Sequence, residues 1–248
     1  MCNPTAENRC NDNGSTGTIT AAVRALVPQH PACFEALNRA KSALPAGILY
    51  HSVRVYFYAT AFLRRFTDDN GPWSSPPSPT PESSSSLRST LFIACVLHDI
   101  GLAKDYDSIP EQFEVVSADV AATLLREHKI PEAEIQEAWL AMAMHTSPGI
   151  AERVGGIVRA LSLAARADFG SYPLPPQERR NSTDEEEEGW WGGGHWVGKW
   201  QLPRLEFEKE LGDAVVRQQK APGGSWPGDL VRGRTTMGLS WEGVNPEF

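Results

Sequence analysis

The 248-residue chain has only four cysteines, Cys2, Cys10, Cys33 and Cys95, and no two of them stand at a metal-binding spacing. That excludes a cysteine-held zinc ribbon and offers no disulfide framework. Cys95 lies inside an apolar run and reads as a small buried hydrophobe. No apolar run approaches the ~18 residues expected of a membrane span, and no charged-then-apolar signal segment opens the sequence. A reducing compartment, the cytoplasm, is therefore expected, with no membrane partner. Basic charge is short: 23 Lys and Arg against 31 Asp and Glu leave a formal net charge of −8. Binding a phosphate backbone takes clustered Lys and Arg, so nucleic acid is excluded as the main partner. Much of the acidic excess sits in one run, Asp184 to Glu188. Alternating apolar–polar patterning is scarce as well, so the core is expected to be all-α.

What is present is helical periodicity. Phe34 and Leu37 space a helix over Ala32 to Ala43, and a weaker helical stretch precedes it from Thr18 to Val27. Val55, Tyr58, Ala59, Phe62 and Phe66 mark a strong helix from His51 to Phe66. A helix from about Leu87 closes on His98-Asp99-Ile100-Gly101, where Gly101 is expected to supply a positive φ. Phe113 to Glu127 follows, with Val116, Val120, Thr123 and Leu124 on one face, and Pro131 starts the next helix, which carries Met142 and His145. Arg153 to Phe169 carries a clean apolar stripe ending at Asp168, and a last helix runs from about Leu202 to Lys220. Ser- and Pro-rich residues 67–86 and the Glu-, Gly- and Trp-rich residues 175–199 read as low-complexity insertions. One helical domain is expected over 17–220, between a polar tail at 1–16 and an irregular tail at 221–248.

The chemistry concentrates in His51, the adjacent pair His98-Asp99, and Asp168, each on an apolar helical stretch. Neighbours on a helix point about 100° apart, so His98 and Asp99 reach one point only at a helix end. Two imidazoles and two carboxylates in this setting suit Zn²⁺, with Fe²⁺ or Mn²⁺ as alternatives, better than Ca²⁺ or Mg²⁺. The expectation is an all-α bundle around a buried metal site. Each residue has an ordinary rival reading: His51 as a helix cap, His98 as a satisfied core histidine, Asp99 holding a backbone group, Asp168 paired with Arg166 or Arg159. The types, order and apolar settings together outweigh those rivals.

The pattern His51…His98-Asp99…Asp168 resembles the motif of the HD-domain superfamily of metal-dependent enzymes. His51-Ser-Val-Arg-Val-Tyr-Phe-Tyr58, Cys95-Val-Leu-His-Asp-Ile-Gly101, Gln112-Phe-Glu114, Met144-His145 and Leu202-Pro-Arg-Leu-Glu-Phe207 resemble the fungal cyanamide hydratase-like branch. The similarity runs roughly from Leu44 to Lys220, insertions excluded. It implies an all-helical HD domain, one Zn²⁺ held by His51, His98, Asp99 and Asp168, and hydration of a small nitrile-like molecule such as cyanamide to urea. Glu114 and His145, with the ligand Asp99, are the candidates for positioning or proton transfer; the other readings of the first two are a solvated helix carboxylate and a helix-end histidine. His145 is also a candidate ligand of a second metal. Phe169 stands after Asp168 where the branch tends to carry Asn, and the loop Leu102 to Pro110 differs from the branch, so pocket residues do not carry over.

The leading reading is thus a metal-dependent hydratase or lyase acting on a small-molecule substrate. The alternative is an HD-type phosphohydrolase on a nucleotide or phosphate ester, for which Arg54 and Lys104 are the available basic groups, Arg54 having a helix-surface reading as well. A two-iron oxygenase would need further ligands such as His128 or His145, and a purely binding module would have no use for all four metal residues. A homo-oligomer is compatible with the family.

Overall fold

The computed structural model describes residues 27–68, 81–173 and 202–219. Among these residues there are helices and turns but no strand. The expected tails at 1–16 and 221–248, the insertion at 175–199 and nearly all of the helix expected from Thr18 lie outside the described residues, as do residues 69–80 of the first insertion.

Helix α1 (Pro31–Ala43) starts behind His30, whose Nδ1 accepts from the Ala32 N–H at 3.2 Å. Proline suits its first position because that N–H would have no helical partner. Helix α2 (Ala46–Asp68) is the long central rod and packs chiefly on α7 (Gly156–Asp168) and α3 (Pro81–Leu97). Every residue of α3 from Leu91 to Leu97 is buried, as a helix surrounded on all sides requires. Fully burying one Leu, Ile or Phe side chain contributes about 1.5–3 kcal/mol, so this run anchors the bundle. Within it Cys95 is buried, and burial pushes its thiol well above the usual range, in keeping with a small hydrophobe. Helices α4 (Phe113–Glu127) and α5 (Glu132–Met144) pair with each other and lean on α3. A short α6 (Ala151–Val154) precedes α7, and α8 (Phe207–Gln219) returns across α2 and the turn after α3.

Several boundaries depart from the sequence reading. Residues 81–86, expected within an insertion, open α3: Pro81 fits a first turn, and the Ser86 hydroxyl donates to Glu134 at 2.5 Å. The stripe from Arg153 to Phe169 is two helices, because Gly155 takes φ 86° between α6 and α7. Thr123 is exposed rather than on the inner face of α4, its hydroxyl donating to Asp119 O within the helix. Gly101 is not among the glycines with positive φ; it sits in a 3₁₀ turn (Ile100–Leu102). What it supplies is room, since a Cβ there would run into the Phe113 carbonyl oxygen. No helix among the described residues is long and apolar enough to cross a membrane.

Candidate metal centre

The end of α3 turns two consecutive side chains inward. The helix stops at Leu97, and Asp99 takes φ −108° and ψ 9°, a bridge conformation that reorients it relative to His98. The turn is held by the Gly101 N–H, which donates to the Ser117 hydroxyl of α4 at 2.8 Å. His51 faces this turn from α2. One ligand atom from each of His51, His98 and Asp99 lies within 4.8 Å of the others, and all three residues are buried.

The hydrogen bonds fix the tautomers. His98 Nδ1 is 2.7 Å from Cys95 O, and a carbonyl only accepts, so Nδ1 carries the proton and Nε2 is left to face Asp99 Oδ2 at 3.1 Å. His51 Nδ1 is 2.6 Å from Asp168 Oδ2, which leaves His51 Nε2 at 3.7 Å from Asp99 Oδ2. His145, the residue after α5, repeats the pattern: Nδ1 donates to Met142 O at 2.6 Å and Nε2 stands 3.7 Å from Asp99 Oδ1. Three imidazole Nε2 atoms thus converge on one carboxylate, and Asp99 Oδ2 is buried without a hydrogen-bond partner. Lone pairs facing a buried carboxylate are unfavourable unless positive charge sits among them. Burial opposes ionisation of Asp99, but the imidazoles around it outweigh burial and hold its carboxyl well below the usual range. Burial likewise lowers His145, but Asp99 and Glu114 outweigh it and keep the ring above its ordinary value. The cluster therefore demands positive charge. Protons on the rings supply it in part, and a divalent cation fits the donor set better.

Asp168 does not join that group. It ends α7, buried, where Arg54 grips it with a two-toothed fork: Nε to Oδ1 and Nη2 to Oδ2, both 2.8 Å. Burial would raise its carboxyl, but His51 and Arg54 hold it far below the usual range. It stands behind His51 as the partner that fixes ring and tautomer. Its partner is thus Arg54 rather than Arg166, which bonds Glu152 at 2.6 Å. Arg54 is fully buried, not a helix-surface residue, and its Nη1 donates to Pro203 O at 3.0 Å. Lys104, the other basic candidate, is exposed.

Glu114 lies in the first turn of α4 and is buried, not solvated. Its Oε1 accepts from the Thr146 hydroxyl at 2.7 Å, while Oε2 is buried without a partner. Burial raises its carboxyl above the ordinary value, offset only in part by His145 and Thr146. His128 is only partly exposed, bonds Glu35 at 2.8 Å and is not among the clustered residues.

Two residues on the site escaped the sequence reading. Phe207 of α8 stacks on the His51 ring, centroids 4.8 Å apart and planes 11° apart. Arg204 donates through Nη2 to Asp168 O at 2.6 Å. Arg54 had a signal, since it lies three residues after His51 on the same helical face. Phe207 and Arg204 stand in the segment Leu202 to Phe207 that carried part of the resemblance, but nothing in it marked either as facing His51 or Asp168.

A model of the HD domain matches residues 48–186, more than half of the chain, and spans His51, His98, Asp99 and Asp168. No curated protein matches the chain.

Proposed function

Since the chain belongs to the HD-domain family, we propose that it is a metal-dependent hydro-lyase adding water to a small uncharged nitrile-like compound, with cyanamide giving urea as the first candidate. The family carries divalent metals and points to hydrolase-type chemistry; the substrate and the choice of Zn²⁺ are this proposal's own. The observation that carries it is the buried Asp99 Oδ2, unpartnered and faced by imidazole Nε2 atoms. His51, His98 and Asp99 hold the ion in this reading, with Asp168 acting through His51. Two nitrogens and a carboxylate suit Zn²⁺, or Fe²⁺ or Mn²⁺ in its place. When bound, such an ion supplies Lewis acidity and makes water a nucleophile near neutral pH.

The residues beside the ion handle protons. Glu114 is the one carboxyl here whose ordinary value is raised, so it is the group fit to hold a proton on Oε2 and deliver it to the nitrile nitrogen. Thr146 occupies Oε1 and so directs the proton to the other oxygen. The balance is simple: the oxygen of one water joins the nitrile carbon, and both its hydrogens end on the product, one passing through Glu114. His145 is held by Met142 O so that its Nε2 faces Asp99, which places it to steady that carboxylate. The uncharged substrate is favoured by the state of the arginines: Arg54 meets the carboxylate and a carbonyl with Nε, Nη1 and Nη2 and offers phosphate no free fork.

The test is elemental analysis of the purified full chain together with urea release from cyanamide, before and after chelator treatment. About one Zn²⁺ per chain with chelator-sensitive urea formation is expected, and Glu114→Gln should lower kcat by roughly 10²–10⁴-fold, the usual contribution of a positioned acid. Metal without urea, but with phosphate released from nucleotides, would move the chain to the phosphohydrolase reading.

A further inference from the structure

We propose that α8, which lies beyond the matched family region, is part of the metal centre, with Phe207 and Gln218 as positioning residues that set where the ligands point. Phe207, Leu211, Ala214 and Gln218 recur at four-, three- and four-residue steps and form the inward face of this helix. At 1.5 Å per residue that face is a rigid ruler about 16 Å long. At one end Phe207, fully buried, lies flat against the His51 imidazole. A parallel stack holds the ring plane while leaving both nitrogens at its edge, where Nδ1 meets Asp168 and Nε2 faces Asp99. The guanidinium of Arg54 sits 5.0 Å from the centre of the Phe207 ring and that of Arg204 sits 4.8 Å from it, so both arginines that bind Asp168 rest on the same ring.

At the other end α8 grips the turn that carries His98 and Asp99. The Gln218 amide donates to the Gly101 carbonyl, and Arg217 donates to the Leu102 carbonyl while Nε holds Asp107 at 2.6 Å. One helix therefore touches the supports of His51, of Asp168 and of the His98-Asp99 turn. Sliding or rotating α8 would move the two sides of the cation site relative to each other. The inference rests on a cation being held by His51, His98 and Asp99, and is independent of which substrate is hydrated.

Three variants of the full chain test it. Phe207→Met keeps apolar volume and removes the flat face, Phe207→Tyr keeps the face, and Gln218→Met removes the bond to Gly101. Co²⁺ affinity by chelator competition and the visible spectrum of the cobalt-loaded protein report the ligand geometry. In the metal-free protein, ¹⁵N imidazole spectra report whether His51 carries its proton on Nδ1. The expected result is Co²⁺ binding weakened by about 10- to 100-fold in both methionine variants, as for loss of other groups that orient ligands, with Phe207→Tyr staying within about 3-fold of the parent. The cobalt bands should shift in the methionine variants, and the His51 signal should broaden or change tautomer in Phe207→Met. Unchanged affinity, bands and His51 signal with only a lowered Tm would overturn the proposal, as would equal damage in Phe207→Tyr. A parent chain that binds no Co²⁺ would overturn the cation reading, and the His51 signal would then decide the positioning of the ring by itself.

Discussion

Asp99 and Asp168 are both buried carboxylates held below the usual range by their neighbours, so disturbing either should cost stability, by different amounts. The imidazoles around Asp99 favour its ionised form, although its Oδ2 has no hydrogen-bond partner. In Asp99→Asn that charge is gone, and with it the stability the ionised form contributes above the usual carboxyl range. The metal-free variant should be weaker than the parent by about 1–3 kcal/mol in urea unfolding near neutral pH, while retaining no metal. A metal-free Asp99→Asn chain as stable as the parent would contradict the account in which the imidazoles match that charge. Asp168 is matched more tightly, by the two-toothed fork of Arg54. Arg54→Met leaves that carboxylate buried and stripped of its fork, and should destabilise the chain by about 3–5 kcal/mol on the same measurement. His51, His98 and Asp99 were legible in the sequence because they stand in order on apolar helical stretches. The place of Asp168 was less so, since a carboxylate one step behind the cluster has the same sequence context as one inside it.

Helix α2 begins where α8 crosses it, and the contact turns on one glycine. Replacing a helical glycine by alanine normally stabilises by roughly 0.5–1 kcal/mol through backbone entropy. At Gly47 a Cβ would lie 3.1 Å from the Phe207 Cα, besides meeting the carboxylate of Glu210. Backbone cannot swing aside as a side chain can, so Gly47→Ala should lower Tm, and a rise would show that α8 yields freely. Gly101 is the same device at the far end of α8, with the Phe113 carbonyl and the Ser117 hydroxyl filling the space. The sequence reading marked Gly101 for a positive φ rather than for room, because close approach between distant segments leaves no local periodicity. Where the reason was local the reading was sharper: α4 runs from Phe113 to Glu127 as its spacing predicted, and the core is helical throughout the described residues. The start of α3 was missed because serines carry no apolar stripe, and the break before α7 because apolar spacing continues across Gly155.

A cation on His51, His98 and Asp99 would tie α2 to the end of α3, while α7 and α8 brace it from behind through Asp168 and Phe207. α2, α3 and α7 make the centre of the bundle, so occupancy of the site would be coupled to unfolding of the whole core. Free metal at one hundred times its Kd stabilises the native state by about 2.7 kcal/mol by mass action. For a chain of this size each kcal/mol moves Tm by roughly 2–4 °C, so chelation should lower Tm by roughly 5–10 °C from that starting point. The decrease should reverse on adding Zn²⁺ back and should vanish in Asp99→Asn, which has nothing to lose to the chelator. Differential scanning calorimetry of the parent and this variant, each with and without chelator, separates the effect from any action of the chelator on the protein surface. An equal decrease in both chains would mean that the ion stabilising this fold sits elsewhere, and the buried unpartnered oxygen of Asp99 would need another explanation.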